Sequence, residues 1–185
     1  MLLKYITVGQ VAMIICCLFY SAWWYVAYHP NLTGSVFNGK AGIFFGLTVL
    51  FGIVGVYLNI YGIRHLPDSN WAFKIFLMGC AIYLILLAVT FLVFNRPVTA
   101  ELLLIVAWTT LETAVIFSAF HDDILNGQLP INSFAVVAIA TIISMTAYLL
   151  YYKVEEMTAF YLGIVPLITD AIGAAIISVS ISVKF

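Results

Sequence analysis

Six stretches of this chain are long and almost free of charge, running approximately from Ile6 to Tyr28, Ala41 to Ile63, Trp71 to Phe94, Ala100 to Phe120, Ser133 to Tyr152 and Phe160 to Val183. About 30 Å of hydrocarbon is crossed by roughly 20 apolar residues in a helix, because a helix satisfies its own backbone polar groups where no water can. Each stretch is therefore predicted to span a membrane. The joints carry residues that end helices: His29-Pro30-Asn31, Leu66-Pro67-Asp68-Ser69-Asn70, Asn95-Arg96-Pro97, Asp122 through Pro130, and Lys153 through Glu156.

Composition excludes the alternative of a buried core in a soluble domain. Hydrophobic residues make up 65% of the chain, charged residues 8%, and the mean hydropathy is +1.15. Seven Lys and Arg and eight Asp and Glu are too few to coat a globule of 185 residues in water. The expected architecture is an all-α integral membrane protein, a six-transmembrane-helix bundle forming a single transmembrane domain over residues 1–185. The first span is too long for the apolar region of a secretory signal and lacks a cleavage site after Cys16-Cys17, so it is expected to remain. Asn31-Leu32-Thr33 matches a glycosylation sequon, a short match common by chance.

The chain also hints at an internal duplication. The segment from Ala22 to His29 and that from Ala114 to His121 share two alanines, the histidine and an aromatic residue before it, and the histidines stand 92 residues apart. The same offset lays the second span on the fifth and the third on the sixth, giving repeat halves 1–95 and 96–185. A three-helix unit copied in tandem inverts its orientation, so the halves would be related by a pseudo-twofold axis in the membrane plane. The charges fit a nearly symmetric molecule: Lys4, Arg64, Lys74 and Lys184 fall on the side of the termini, and Lys40, Arg96 and Lys153 on the other. That small excess places both termini in the cytoplasm and the protein in the plasma (cytoplasmic) membrane.

Function is expected where polar residues enter hydrocarbon, since an ionisable group at mid-membrane costs at least about 2.5 kcal/mol. Glu112 lies midway along the fourth span and Asp170 within the sixth, and no arginine or lysine lies deep in any span to pair with them. The fourth and sixth helices run the same way, so the two carboxyls could meet at similar depth as a shared proton site. Pro166, one turn before Asp170, can open the helix as in the broken helices of transport sites. Asn59, Thr109 and Thr169 are further candidates for a polar pathway, and Trp108, one turn from Glu112 on the same face, for its wall. Gln10 reads as a structural residue near the interface. Trp23, Trp24 and Trp71 suit the interfacial aromatic belt.

The remaining features read mainly as packing. Cys16, Cys17 and Cys80 have no metal-ligand spacing and are expected to pack as small apolar side chains. The glycines of the second span, with Gly42 and Gly46 in small-xxx-small spacing, point to close helix contacts within the chain or to a homo-oligomer through this helix. His29, His65 and His121 sit at helix ends, where His29 and His121 are candidates for pH sensing on opposite faces. No metal or cofactor is expected, and the partners are the lipid bilayer and a small polar solute or ion rather than nucleic acid.

The expected function is a small transporter or channel, proton-coupled through Glu112 and Asp170. Its rivals are a membrane-embedded enzyme or lipid-binding protein, weakened by the lack of a nucleophile, metal cluster or phosphate-binding motif, and a sensor or assembly subunit whose polar residues only tie helices together.

Overall fold

The computed structural model of the protein describes residues 3–30, 39–66, 70–92 and 100–182. The six expected helices are present: α1 (Leu3–Tyr28), α2 (Lys40–Arg64), α3 (Asn70–Leu92), α4 (Ala100–His121), α5 (Leu129–Tyr151) and α6 (Glu156–Ser182). Each is long and apolar enough to cross a membrane, and together they make a multi-pass membrane protein. The Asn31 sequon, residues 67–69 of the second joint and the Asn95–Pro97 joint lie outside the described residues.

Three helices start about a turn earlier than the apolar pattern predicts, α1 at Leu3 rather than Ile6. α5 takes in Leu129–Asn132, with Pro130 in its first turn, where a missing N–H costs nothing; α6 begins at Glu156 rather than Phe160. These first turns extend the helices beyond their uninterrupted apolar runs. Between α4 and α5 the chain reverses tightly: the N–H groups of Ile124 and Leu125 both donate to the Ala119 carbonyl at 2.9 Å, and Asp123 takes a left-handed φ of 55°.

Neighbouring helices run antiparallel, and the pairs of touching residues recede in step. Along α1 and α2, Ile6 meets Gly62, Gly9 meets Asn59, and Met13 meets Gly55. Along α3 and α4, Gly79 lies on Thr110 and Trp71 on Phe117. α4 is the most enclosed helix, with α3, α5, α6 and α2 against it, while α1 closes the bundle by packing on both α2 and α6. α3 is the least attached, its main contact being α4. A twofold relating the halves would exchange α1·α2 with α4·α5 and α1·α6 with α3·α4, and all four contacts occur; the extensive α5·α6 contact has no comparable α2·α3 counterpart.

The outer surface carries Leu, Ile, Val and Phe, whereas Gln10, Asn59, Glu112, Ser144 and Asp170 are buried. This is the arrangement of a protein whose solvent is lipid. Lipid and protein interior are equally apolar, so several side chains take the opposite side from that expected. Trp23 and Trp24, expected in the interfacial belt, are 6% and 5% exposed and build a cluster with Ala27, Ala41 and Phe160. Trp71 does face outward, with the Lys74 ammonium 4.2 Å from its ring centroid. Cys80 is exposed on the face of α3 rather than packed. In α2 the glycines that admit a neighbour are Gly52, Gly55 and Gly62, all against α1, while a side chain added at Gly46 would meet nothing within 4 Å.

Candidate functional site

Register along the bundle is fixed by two indole rings seated on glycines. Trp24 of α1 lies over Gly163 of α6, and Trp108 of α4 lies over Gly173 of the same helix; a Cβ at Gly173 would stand 2.8 Å from the Trp108 ring. With a rise of 1.5 Å per residue, these contacts place Asp170 level with Cys17, and Glu112 level with Gln10, roughly 10 Å nearer the terminal face. The polar residues therefore form two layers.

The upper layer is built by α5 and α6. The Ser144 hydroxyl pairs with that of Thr169 at 2.9 Å and lies beside the Asp170 carboxyl. Thr169 also donates toward the carbonyls of Val165 (3.0 Å) and Pro166 (2.9 Å), as a hydroxyl facing its own helix does. Asp170 is 6% exposed, and its Oδ1 has no hydrogen-bond partner in the protein. Pro166 does not break α6, which runs unbroken from Glu156 to Ser182; it only leaves the Leu162 carbonyl without its helical donor.

The lower layer joins three helices. Gln10 Nε2 donates to Glu112 Oε2 at 2.9 Å and to Asn59 Oδ1 at 3.2 Å, and Asn59 Nδ2 donates back to the Gly55 carbonyl at 2.8 Å. Gln10, Asn59 and Glu112 are all 0% exposed. Gln10, expected near the interface, is thus the residue that holds the carboxyl. Gly9 makes the approach possible, its Cα lying so close that a Cβ would stand 2.9 Å from the Asn59 backbone nitrogen. Glu112 Oε1 and Gln10 Oε1 are buried without partners. A carboxyl in such a place is stable only when it carries a proton or a bound cation, because an unpaired buried charge costs several kcal/mol.

Between the layers, Thr109 donates to the Ile105 carbonyl and pairs with Thr141 of α5, both at 2.8 Å. The Trp108 ring is 4% exposed and its Nε1 has no partner. The two candidate histidines are far from either layer. His29 follows α1, its ring 4.9 Å from Tyr25 and 5.0 Å from Phe160, while His121 ends α4 at the other face. Among the described residues no group of three or more His, Cys, Asp or Glu could hold a metal ion.

Above Asp170 a narrow cleft opens away from the terminal face. It offers only about 20 Å³ of usable space, room for about one water, and is lined by Trp24, Glu101, Tyr148, Tyr151, Tyr152, Leu162, Gly163 and Pro166. Sequence reasoning passed over Glu101 and Tyr148, because one sits in the first turn of a helix and the other resembles the tyrosines around it. No family model matches the chain, and no curated protein or solved structure is significantly similar to it.

Proposed function

We infer that the protein is a small transporter or channel that moves a small polar solute or ion, with protons, past Asp170 and Glu112. One observation supports this: two buried carboxyls, Asp170 and Glu112, each have an oxygen without a hydrogen-bond partner and, among the described residues, no cation paired with them, and Trp108 of α4 packs on Gly173 of α6 nearby. Protonation of one carboxyl in turn with the other, and a shift of the indole off Gly173, would pass a proton or cation from layer to layer. His29 and His121 stand where they would respond to the pH of the two sides. The contacts exchanged by a twofold favour inverted halves, and the open Gly46 face of α2 offers a surface for a second copy in the cytoplasmic membrane.

The test is solute-driven proton movement in sealed proteoliposomes, across small cations, amides, amines and vitamins. Asp170→Asn and Glu112→Gln, purified folded, are expected to abolish coupled movement. A second reading has an observation of its own, the Gln10 amide tying α1, α2 and α4 through Asn59 and Glu112. If no solute moves and both variants only melt earlier, the carboxyls are ties between helices and transport is rejected.

A further inference from the structure

Where α2 reaches the terminal face, its outer side carries an open groove that belongs to neither polar layer. It offers about 480 Å³, within the range of small-molecule sites, and is lined by Tyr57, Ile60, Tyr61, Arg64 and His65. These positions recur at intervals of three and four, so they form one stripe along the end of the helix. The rings of the stripe stand in a row. Tyr57 stacks on Tyr61 at 6.0 Å between centroids, Tyr61 meets His65 at 4.2 Å, and Tyr5 of α1 closes on Tyr61 edge-on at 5.0 Å.

Arg64 sets the charge of the groove. It is exposed, and among the described residues no carboxylate lines the groove or pairs with it. A helix C-terminus ordinarily opposes an anion, because its unsatisfied carbonyls amount to a charge of about −0.5. Here those carbonyls are largely occupied. The Tyr61 carbonyl accepts the Nδ1–H of His65 at 2.8 Å, that of Gly62 accepts the His65 backbone N–H at 3.3 Å, and that of Ile63 accepts the Leu66 N–H at 3.0 Å. The guanidinium therefore dominates, and its fork of N–H groups matches the oxygens of a phosphate. Lys4 is exposed two residues before Ile6, which packs on Gly62, so it adds to the positive field at the same end of α2.

Depth identifies the occupant. Arg64 ends a membrane-spanning helix and stands at the level of headgroups, whereas Tyr57, 62% exposed, lies about 10 Å further into the hydrocarbon at 1.5 Å per residue. A free phosphate would use only the charged end. A phospholipid uses both, and a zwitterionic one would find no carboxylate in the groove for its ammonium. The small excess of basic residues on this side also favours the cytoplasmic leaflet, where anionic lipids concentrate. We propose that this groove holds one anionic phospholipid, its phosphate on Arg64 and the start of its acyl chains along Tyr57 and Ile60. The site is independent of the carboxyl layers and of any solute that moves past them.

Native mass spectrometry of the full-length protein, released from a neutral glycoside detergent, tests this with phosphatidylglycerol and phosphatidylcholine of identical acyl chains. The first phosphatidylglycerol is expected to bind saturably and at least about fivefold more tightly than phosphatidylcholine. Arg64→Gln, which removes an exposed side chain and should melt with wild type, is expected to erase that preference. Lys40→Gln, exposed at the opposite end of the same helix, should leave it within about twofold. Tyr57→Ala should weaken both lipids alike, by about threefold or more, because it removes apolar contact and no charge. Equal binding of the two lipids, equal losses from Arg64→Gln and Lys40→Gln, no effect of Tyr57→Ala, or no saturable first site would each overturn the proposal. Binding is read without a gradient, so it stands or falls separately from proton-coupled movement in liposomes.

Discussion

Gly9→Ala should loosen the lower polar layer, and its size can be worked from the contacts. A Cβ at position 9 would lie 2.7 Å from Asn59 Nδ2 and 2.9 Å from both Asn59 Cγ and the Asn59 backbone nitrogen. The amide could swing away, but the backbone nitrogen cannot, so α1 and α2 must part by roughly 0.5 Å to restore ordinary contact at about 3.4 Å. The Gln10–Asn59 hydrogen bond, 3.2 Å long, then stretches to about 3.7 Å and is lost. Overpacking of this kind costs about 1–3 kcal/mol, the lost bond included at the upper end. For a chain of this length each kcal/mol moves the melting midpoint by about 2–4 °C, so Gly9→Ala should melt about 2–12 °C below wild type in detergent. Gly46→Ala, with nothing within 4 Å, should melt at or above wild type, since alanine favours the helix by up to about 1 kcal/mol. Equal melting of wild type and Gly9→Ala, or equal losses from the two substitutions, would refute the close approach at Asn59.

Two further outcomes follow from the packing of α6 and α3. Gly163→Ala drives a Cβ into the Trp24 ring and should cost about 1–3 kcal/mol, most of it recovered when Trp24→Leu is added; additive losses in the double-variant cycle would contradict the contact. A nitroxide on Cys80, halfway along α3, in a Cys16→Ala, Cys17→Ala background should collide freely with dissolved oxygen and hardly with a water-soluble nickel chelate, and the opposite ranking would remove that face from lipid.

What could be read from the sequence divides along a physical line. The number and position of the spans were legible, since apolarity over 20 residues is a strong signal and only the first turns of α1, α5 and α6 escaped it. Which face of each helix points inward was not. In water, burial sorts apolar from polar residues around a helix; in lipid both sides of a helix are apolar, and the sorting signal vanishes. Trp23 and Trp24 therefore looked like belt residues and are core, Cys80 looked like core and faces out, and Gly46 looked like a contact that Gly55 and Gly62 make instead. Charge kept its meaning: Glu112 and Asp170 were identifiable because a carboxyl is costly in hydrocarbon wherever it points. What packs beside them was hidden, because Trp108 fits over Gly173 and no local pattern encodes a ring lying on another helix.

The order of the helices bears on how the chain is made. Synthesis releases α1 and α2 into the membrane before α4, and these two can zip together on Gly9, Gly55 and Gly62 by themselves. The zipped hairpin already presents the Gln10 amide beside Asn59, both aimed at the level Glu112 will occupy. When α4 arrives, its carboxyl finds a donor prepared for it and need not wait in lipid for the last two helices. α3, whose main partner is α4, has to linger at the edge until that moment, so a ribosome stalled after α3 should leave it the segment most open to quality-control proteases.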